Sequence, residues 1–205
     1  MKIVDLTVPL DSNTLVFPGN PKILISSAAT IEKDGCNVLS LSLSSHVGTH
    51  IDAPFHFIKN GKKLSDFEPG HFVGQAVVID CRGQKEISLD RQALSIIQPD
   101  DIVFLFTGHT DAWNTERYYS DYPTLSKPTA KALVAKQVKF IGVDSPSPDK
   151  KPFPLHYIFL EKDILIIENL THLHGLVGKR FQCIVAPLKI ENADGAPCRV
   201  LGIVD

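Results

Sequence analysis

The sequence predicts a fold of the α/β or α+β kind, and three observations carry that expectation. Seven short runs rich in β-branched residues are too brief for helices, two segments show helical periodicity with a legible start, and one of those helices runs directly into a strand. With 205 residues the chain can bury roughly 70% of the surface it exposes when unfolded, so one domain over 1–205 is expected. A composition of 43% hydrophobic and 21% charged residues excludes a disordered or fibrous chain.

The expected strands are residues 3–10, 38–46, 75–80, 101–107, 138–144, 163–168 and 181–190. The clearest helix spans 127–137, with Ser126 as N-cap, Pro128 in the first turn, and Ala132, Leu133 and Ala135 behind them. A second helix begins near Asp90 and carries Ala93, Leu94 and Ile97. Residues 145–154 hold Pro146, Pro148, Pro152 and Pro154, which fix φ and remove donors. That stretch is expected to be a surface loop delivering His156 to a site.

Charge and cysteine usage narrow the partners. Lys plus Arg number 21 against 23 Asp plus Glu, and no basic stripe exists for a phosphate backbone, so nucleic acid is excluded. No apolar run approaches the ~20 residues of a membrane span. The N-terminus becomes charged at once, and the cytoplasm is the expected compartment. Cys36, Cys81, Cys183 and Cys198 form no C-x-x-C pair; Cys81 and Cys183 sit in apolar runs and read as buried thiols.

Chemistry concentrates after a strict alternation, Leu39-Ser40-Leu41-Ser42-Leu43-Ser44. If the chain stays extended, that parity carries His46, His50 and Asp52 to one side. If it coils, His46 and His50 meet at i, i+4. Either geometry brings two imidazoles and a carboxylate to one point, a donor set that suits zinc or manganese. Gly48 leaves room for a close backbone approach. His56, four residues beyond Asp52, is either a further ligand or a proton shuttle. A second patch holds His156 and Glu168, with Asn169, His172 and His174 beyond; a carboxylate ending the apolar run 163–168 is costly unless paired or coordinating.

The segment His46-Val47-Gly48-Thr49-His50-Ile51-Asp52-Ala53-Pro54-Phe55-His56 resembles the signature of the cyclase family of metal-dependent hydrolases, which includes bacterial kynurenine formamidases and isatin hydrolases. Asp5-Leu6-Thr7, Phe17-Pro18-Gly19-Asn20-Pro21, Thr107-Gly108, 141–147 and Glu168-Asn169-Leu170 follow in the family's order. The resemblance implies a swivelling β/β/α domain with a mixed, barrel-like central sheet and a few flanking helices, assembled as a homodimer or homotetramer. It implies that His46, His50 and Asp52 hold one divalent ion, that Asp52 bridges to a second held by His156 and Glu168, and that His56 is the catalytic histidine. Zinc is the expected ion, with manganese as the alternative, one or two per subunit.

The implied reaction is hydrolysis of an amide-type bond by metal-activated water. The substrate would be an N-formyl aryl amine such as N-formylkynurenine, with Phe17 stacking on its ring. The alternatives are an isatin-like lactam or a lactone, or a non-catalytic metal-binding module. Two positions depart from the formamidase pattern, Phe17 where a Trp is usual and Asn20 where Asp is common. His71, His109, His172 and His174 are expected at the surface or in support of the ligands, with His109 a candidate for the pocket wall.

Overall fold

The structure, a computed structural model, describes residues 1–204. β1 (Lys2–Asp5) is followed by a hairpin of β2 (Leu24–Ala29) and β3 (Val38–Ser42), joined through the single-turn α1 (Ile31–Asp34). Then come β4 (His50–Asp52), β5 (Val73–Asp80), the short β6 (Glu86–Ile87), α2 (Arg91–Ser95), β7 (Ile102–Phe106) and α3 (Glu116–Ser120). The second half holds β8 (Thr124–Leu125), α4 (Lys127–Ala135), β9 (Phe140–Val143), α5 (Pro154–Leu160), β10 (Leu165–Glu168), β11 (Arg180–Pro187) and β12 (Gly195–Val204).

Seven strands close on themselves in the order β12-β11-β5-β7-β9-β10-β4, because β4 pairs with both β10 and β12; β1 lies outside, on β12. The run β5-β7-β9-β10 is parallel and the remaining pairings are antiparallel, which makes the mixed, barrel-like sheet. Side-chain parity explains the two cores. Ala76, Val78, Ile102, Phe104, Phe140, Leu165 and Ile167 share an inner cluster with Ile51 and Ala196. Their neighbours Val77, Ile79, Val103, Leu105, Ile141, Val143 and Ile166 face outward and pack on Leu133 of α4 and on Leu155, Phe159 and Leu160 of α5. Leu133 is fully buried, a contribution of roughly 1.5–3 kcal/mol. Strands buried on both faces read as continuous apolar runs, which is why these were visible in the sequence.

Several expectations are corrected. The first strand stops at Asp5 rather than residue 10, since Val8 leaves the ladder and its N–H donates to Thr49 Oγ1 (2.9 Å). The strand expected over 38–46 ends at Ser42, where the chain turns. Its leucines face no core: Leu39 and Leu41 are 64% and 57% exposed on a free hairpin. The 127–137 helix is a residue or two shorter because Gln137 takes a left-handed φ of 56°; Ser126 caps it, accepting from Thr129 N–H. Asp90 caps α2 by accepting from Ala93 N–H, but that helix ends before Ile97. The strand 181–190 stops at Pro187.

Residues 145–154 are not simply a surface loop. Residues 145–149 are buried, and carbonyls among them accept hydrogen bonds: Pro148 O accepts from Leu125 N–H (2.8 Å) and Asp149 O from the Tyr122 hydroxyl (3.0 Å). Burial of Cys81 and Cys183 matches their sequence reading, and it pushes both thiols up to about 12.

Candidate metal centre

The histidine segment is neither one extended strand nor one coil. After β3 the chain turns, Gly48 adopts a φ of 57°, and a Cβ there would collide with the Leu10 side chain. Thr49 and Asn169 pin the turn. Thr49 Oγ1 donates to Asn169 O (2.6 Å), Asn169 Nδ2 donates to Gly48 O (2.7 Å), and the Tyr118 hydroxyl donates to Asn169 Oδ1 (2.9 Å). Within β4 the parity resumes. Ile51 points into the barrel, so His50 and Asp52 point out, as does Glu168, which pairs with His50 across the ladder. α5 lies over that outer face and brings His156.

Four of the predicted ligands therefore converge, all buried. His50 Nε2 lies 3.5 Å from Asp52 Oδ1 and 3.3 Å from Glu168 Oε2; His156 Nε2 lies 3.6 Å from Asp52 Oδ2 and 3.5 Å from Glu168 Oε1. Each carboxylate thus divides its oxygens between the two imidazoles. The separations exceed those of charge-assisted hydrogen bonds, about 2.7–2.9 Å. Taken pair by pair they are close to the spacing of two donors on a tetrahedral zinc, about 3.3 Å when each is about 2.0–2.1 Å from an ion.

The far nitrogens are already engaged. His50 Nδ1–H donates to Gly48 O (2.8 Å), and His156 Nδ1–H donates to Asp149 Oδ1 (2.8 Å), so both Nε2 atoms face the carboxylates. His46 joins the group through Nδ1–H, which donates to Asp52 Oδ1 (2.7 Å) in the absence of an ion. One set of closely spaced donors comprises His50, Asp52 and Glu168; another comprises His46, Asp52 and His56.

Electrostatics point the same way. Burial works against a charge on His46, yet Asp52, then Asp194, outweigh it and push the imidazole up to about 10. At His156 burial is likewise overcome, by Asp149, Asp52 and Glu168, and its pKa rises well above the ordinary value. Burial opposes ionisation of Asp52 and Glu168, and at Glu168 so does the Asp52 charge, but the facing imidazoles hold both carboxyls below their usual range. Buried charges are retained only when paired or coordinating. This cluster of anions wants positive charge, and a dication supplies it. The donor set fits a divalent metal.

The group forms the floor of a cavity of about 370 Å³, within the range of small-ligand sites. His56 lines it from a short 3-10 turn, its ring stacked on His46 (3.9 Å between centroids, 30°). Phe17 lines it as well, edge-on to Tyr119 at 6.1 Å and 6.3 Å from Phe153. Phe57, packed 4.5 Å from the His156 ring, adds a third phenylalanine to the wall.

The structure also brings in residues that spacing did not single out. Asp149, seven positions before His156, lies inside the proline-rich stretch. Asp194 places Oδ2 2.9 Å from His46 Nε2 and 3.3 Å from His56 Nδ1. Both are ordinary acidic residues in turns, and only the Asp194-Gly195 pair ahead of an apolar run hinted at a special turn.

The remaining histidines lie elsewhere. His109 is not on the pocket wall: its Nε2 bonds Tyr118 O (2.8 Å) and its ring stacks on Tyr118. His71 packs among Phe67, Phe72 and Phe140, away from the site. His172 bonds Asp5 O, and His174 lies near Phe106. The Thr107-Gly108 motif is structural, since Thr107 N–H, Thr107 Oγ1 and Gly108 N–H all donate to the buried Asp144 carboxylate and tie the ends of β7 and β9 together.

Comparison with known proteins adds independent findings. A family model described as "Putative cyclase" matches residues 4–150. The kynurenine formamidase of Bacillus cereus is 32% identical over 202 residues, 97% of this chain and 95% of that protein. The kynurenine formamidase of Geobacillus thermodenitrificans is 32% identical over 201 residues, covering 96% and 94%. Among solved structures, isatin hydrolase A from Labrenzia aggregata, bound to benzyl benzoate, superposes with a TM-score of 0.86 at 26% identity, covering 99% of this chain and 93% of that one. An isatin hydrolase bound to the product analogue thioisatinate shares the fold, with a TM-score of 0.88 at 24% identity, covering 99% and 92%.

Proposed function

This chain belongs to the cyclase family, and on that premise we propose that it is a metal-dependent hydrolase cleaving an amide-type C–N bond of an N-formyl aryl amine such as N-formylkynurenine. The observation that carries the reading is the convergence of His46, His50, Asp52, His156 and Glu168 on the floor of an open, aromatic-walled cavity. We assign His46, His50 and Asp52 to one ion, and His156 and Glu168, with Asp52 shared, to a second. The division of the Asp52 and Glu168 oxygens between His50 and His156 supports two positions. A donor set of imidazole and carboxylate, with no thiol, supports zinc, with manganese as the alternative. When bound, the cation supplies Lewis acidity, making water a nucleophile near neutral pH and polarising a carbonyl.

The chain's own residues do the rest. His56 stands on the cavity wall, half-buried, where an imidazole can hand a proton to a departing nitrogen; an aryl amine leaves poorly without one. Phe17, Tyr119, Phe57 and Phe153 offer apolar faces and edges to an aryl ring. Asp149 holds His156 and the Gly48 carbonyl holds His50, so neither ligand needs reorienting during turnover. Small molecules, not macromolecules, fit a cavity of this size. Among the described residues no helix is long and apolar enough to cross a membrane, and we assign the protein to the cytoplasm. The free hairpin supports assembly into a homodimer or homotetramer.

A second reading, opening of an isatin-like lactam, is favoured by Phe17 and Asn20, which stand where formamidases usually carry Trp and Asp. Turnover by the zinc- or manganese-reconstituted protein, followed by ultraviolet absorbance with N-formylkynurenine and with isatin, separates the two. His46→Ala loses metal and activity together, and His56→Ala keeps metal while kcat falls by roughly 10²–10⁴. Activity that survives complete metal removal overturns the proposal.

A further inference from the structure

Asp194, the residue before β12, directs a single oxygen at two imidazoles, His46 Nε2 at 2.9 Å and His56 Nδ1 at 3.3 Å. The two rings are stacked, so one carboxylate spans both edges. Its backbone is anchored: Asp194 O accepts from Ala53 N–H (2.9 Å), and Gly195 pairs with Asp52 across the β4–β12 ladder. The side chain is therefore held where the barrel closes, beside the floor of the cavity.

A neutral imidazole has one donor nitrogen and one acceptor, and the partner of one nitrogen decides the state of the other. An ionised carboxylate only accepts. At His56 it selects Nδ1–H and leaves Nε2 as the basic nitrogen, available to the cavity that the ring lines. At His46 it holds Nε2–H, so that Nδ1, which donates to Asp52 Oδ1 at 2.7 Å in the metal-free protein, is the nitrogen whose proton a cation would displace. We propose that Asp194 is a positioning residue that sets the tautomers of His46 and His56 together, coupling the cation-binding ring to the proton-carrying ring. It touches no reacting atom in this arrangement, and its side chain is 37% exposed, so it acts through the two histidines. The inference rests on His56 as the proton carrier.

The test combines ring-nitrogen NMR with kinetics. In metal-free protein in alkaline buffer, long-range ¹H–¹⁵N spectra are expected to show His56 as the Nδ1–H tautomer. In Asp194→Ala that tautomer is lost in favour of Nε2–H. Asp194→Asn keeps the side-chain volume, serves if the alanine variant does not fold, and gives a mixture. In the reconstituted enzyme Asp194→Ala lowers kcat by about 10–100-fold with KM unchanged. In a His56→Ala background, with metal saturating so that the His46 contact does not limit turnover, the same substitution lowers kcat no further, because both changes remove the one proton-carrying function. An unchanged His56 tautomer in both Asp194 variants, or a full repeat of the kcat loss in the His56→Ala background, overturns the proposal. Failure of the proton-carrier reading has its own signature, wild-type kcat in His56→Ala, which overturns the coupling to catalysis even where the tautomer follows Asp194.

Discussion

Gly195 stands directly across the β12–β4 ladder from Asp52, and the His46 ring occupies the space its side chain would need. A Cβ at this position would lie 2.8 Å from His46 Cε1 and 2.7 Å from the Ile51 carbonyl oxygen. The second neighbour is backbone inside a strand and cannot give way. Gly195→Ala is therefore expected to displace His46 and weaken metal binding by about 10-fold or more, measured by chelator competition. Unchanged affinity would show that His46 is not needed for the ion.

Metal-free protein should lose stability as the solution becomes alkaline. The folded His46 is pushed up to about 10 from an ordinary 6.5 because Asp52 and Asp194 outweigh the penalty of burial. A raised folded pKa means the folded state binds the proton more tightly. That contribution is fully present below about 6.5 and is lost as pH rises through about 10. Thermal melts of the metal-free protein across this window should fall more steeply than those of His46→Gln. Cation binding replaces the proton, so affinity should climb over the same interval, and calorimetry in buffers of differing ionisation enthalpy should detect proton release.

Asp149 is the carboxylate that orients His156, and its replacement separates orientation from ligation. Asp149→Asn leaves the imidazole in place but without its charged partner at 2.8 Å. Metal affinity or kcat should drop by about 10–100-fold, the usual consequence of losing such a partner. Full retention of both would mean that packing against Phe57 alone holds the ring.

The homo-oligomer proposed above is expected to depend on the hairpin. Leu24, Leu39 and Leu41 are each more than half exposed on β2 and β3. Exposed apolar clusters of this kind commonly mark protein contacts. Leu39→Ser with Leu41→Ser should shift the mass measured by light scattering toward the monomer while leaving the circular dichroism unchanged. An unaltered mass would place any interface elsewhere.

How much was legible follows from where each interaction sits along the chain. Strands β5, β7, β9 and β10 announced themselves as apolar runs because both faces are covered. β12, the longest strand, did not, since Gly195, Pro197 and Gly202 interrupt its pattern. The α4 start was readable from Ser126 and Pro128, whereas the seven-residue α5 opens in a proline-rich stretch that reads as loop. His46, His50 and Asp52 were visible because they crowd into one short segment. Asp194 was not, because it meets His46 across 148 positions of sequence and no local spacing encodes a contact made by barrel closure. Phe17 could be nominated only by likeness, and its neighbours Tyr119 and Phe153 join it from distant loops.

The strand that shuts the barrel is only three residues long, and two of those three side chains are candidate ligands. Seam and cage are thus the same piece of chain. Stripping the ion would be felt first in the hoop of backbone hydrogen bonds around His50–Asp52, where amide exchange should quicken before the far wall notices. Such wiring would make closure of the cylinder depend on the ion it holds, with an emptied protein expected to be the looser one.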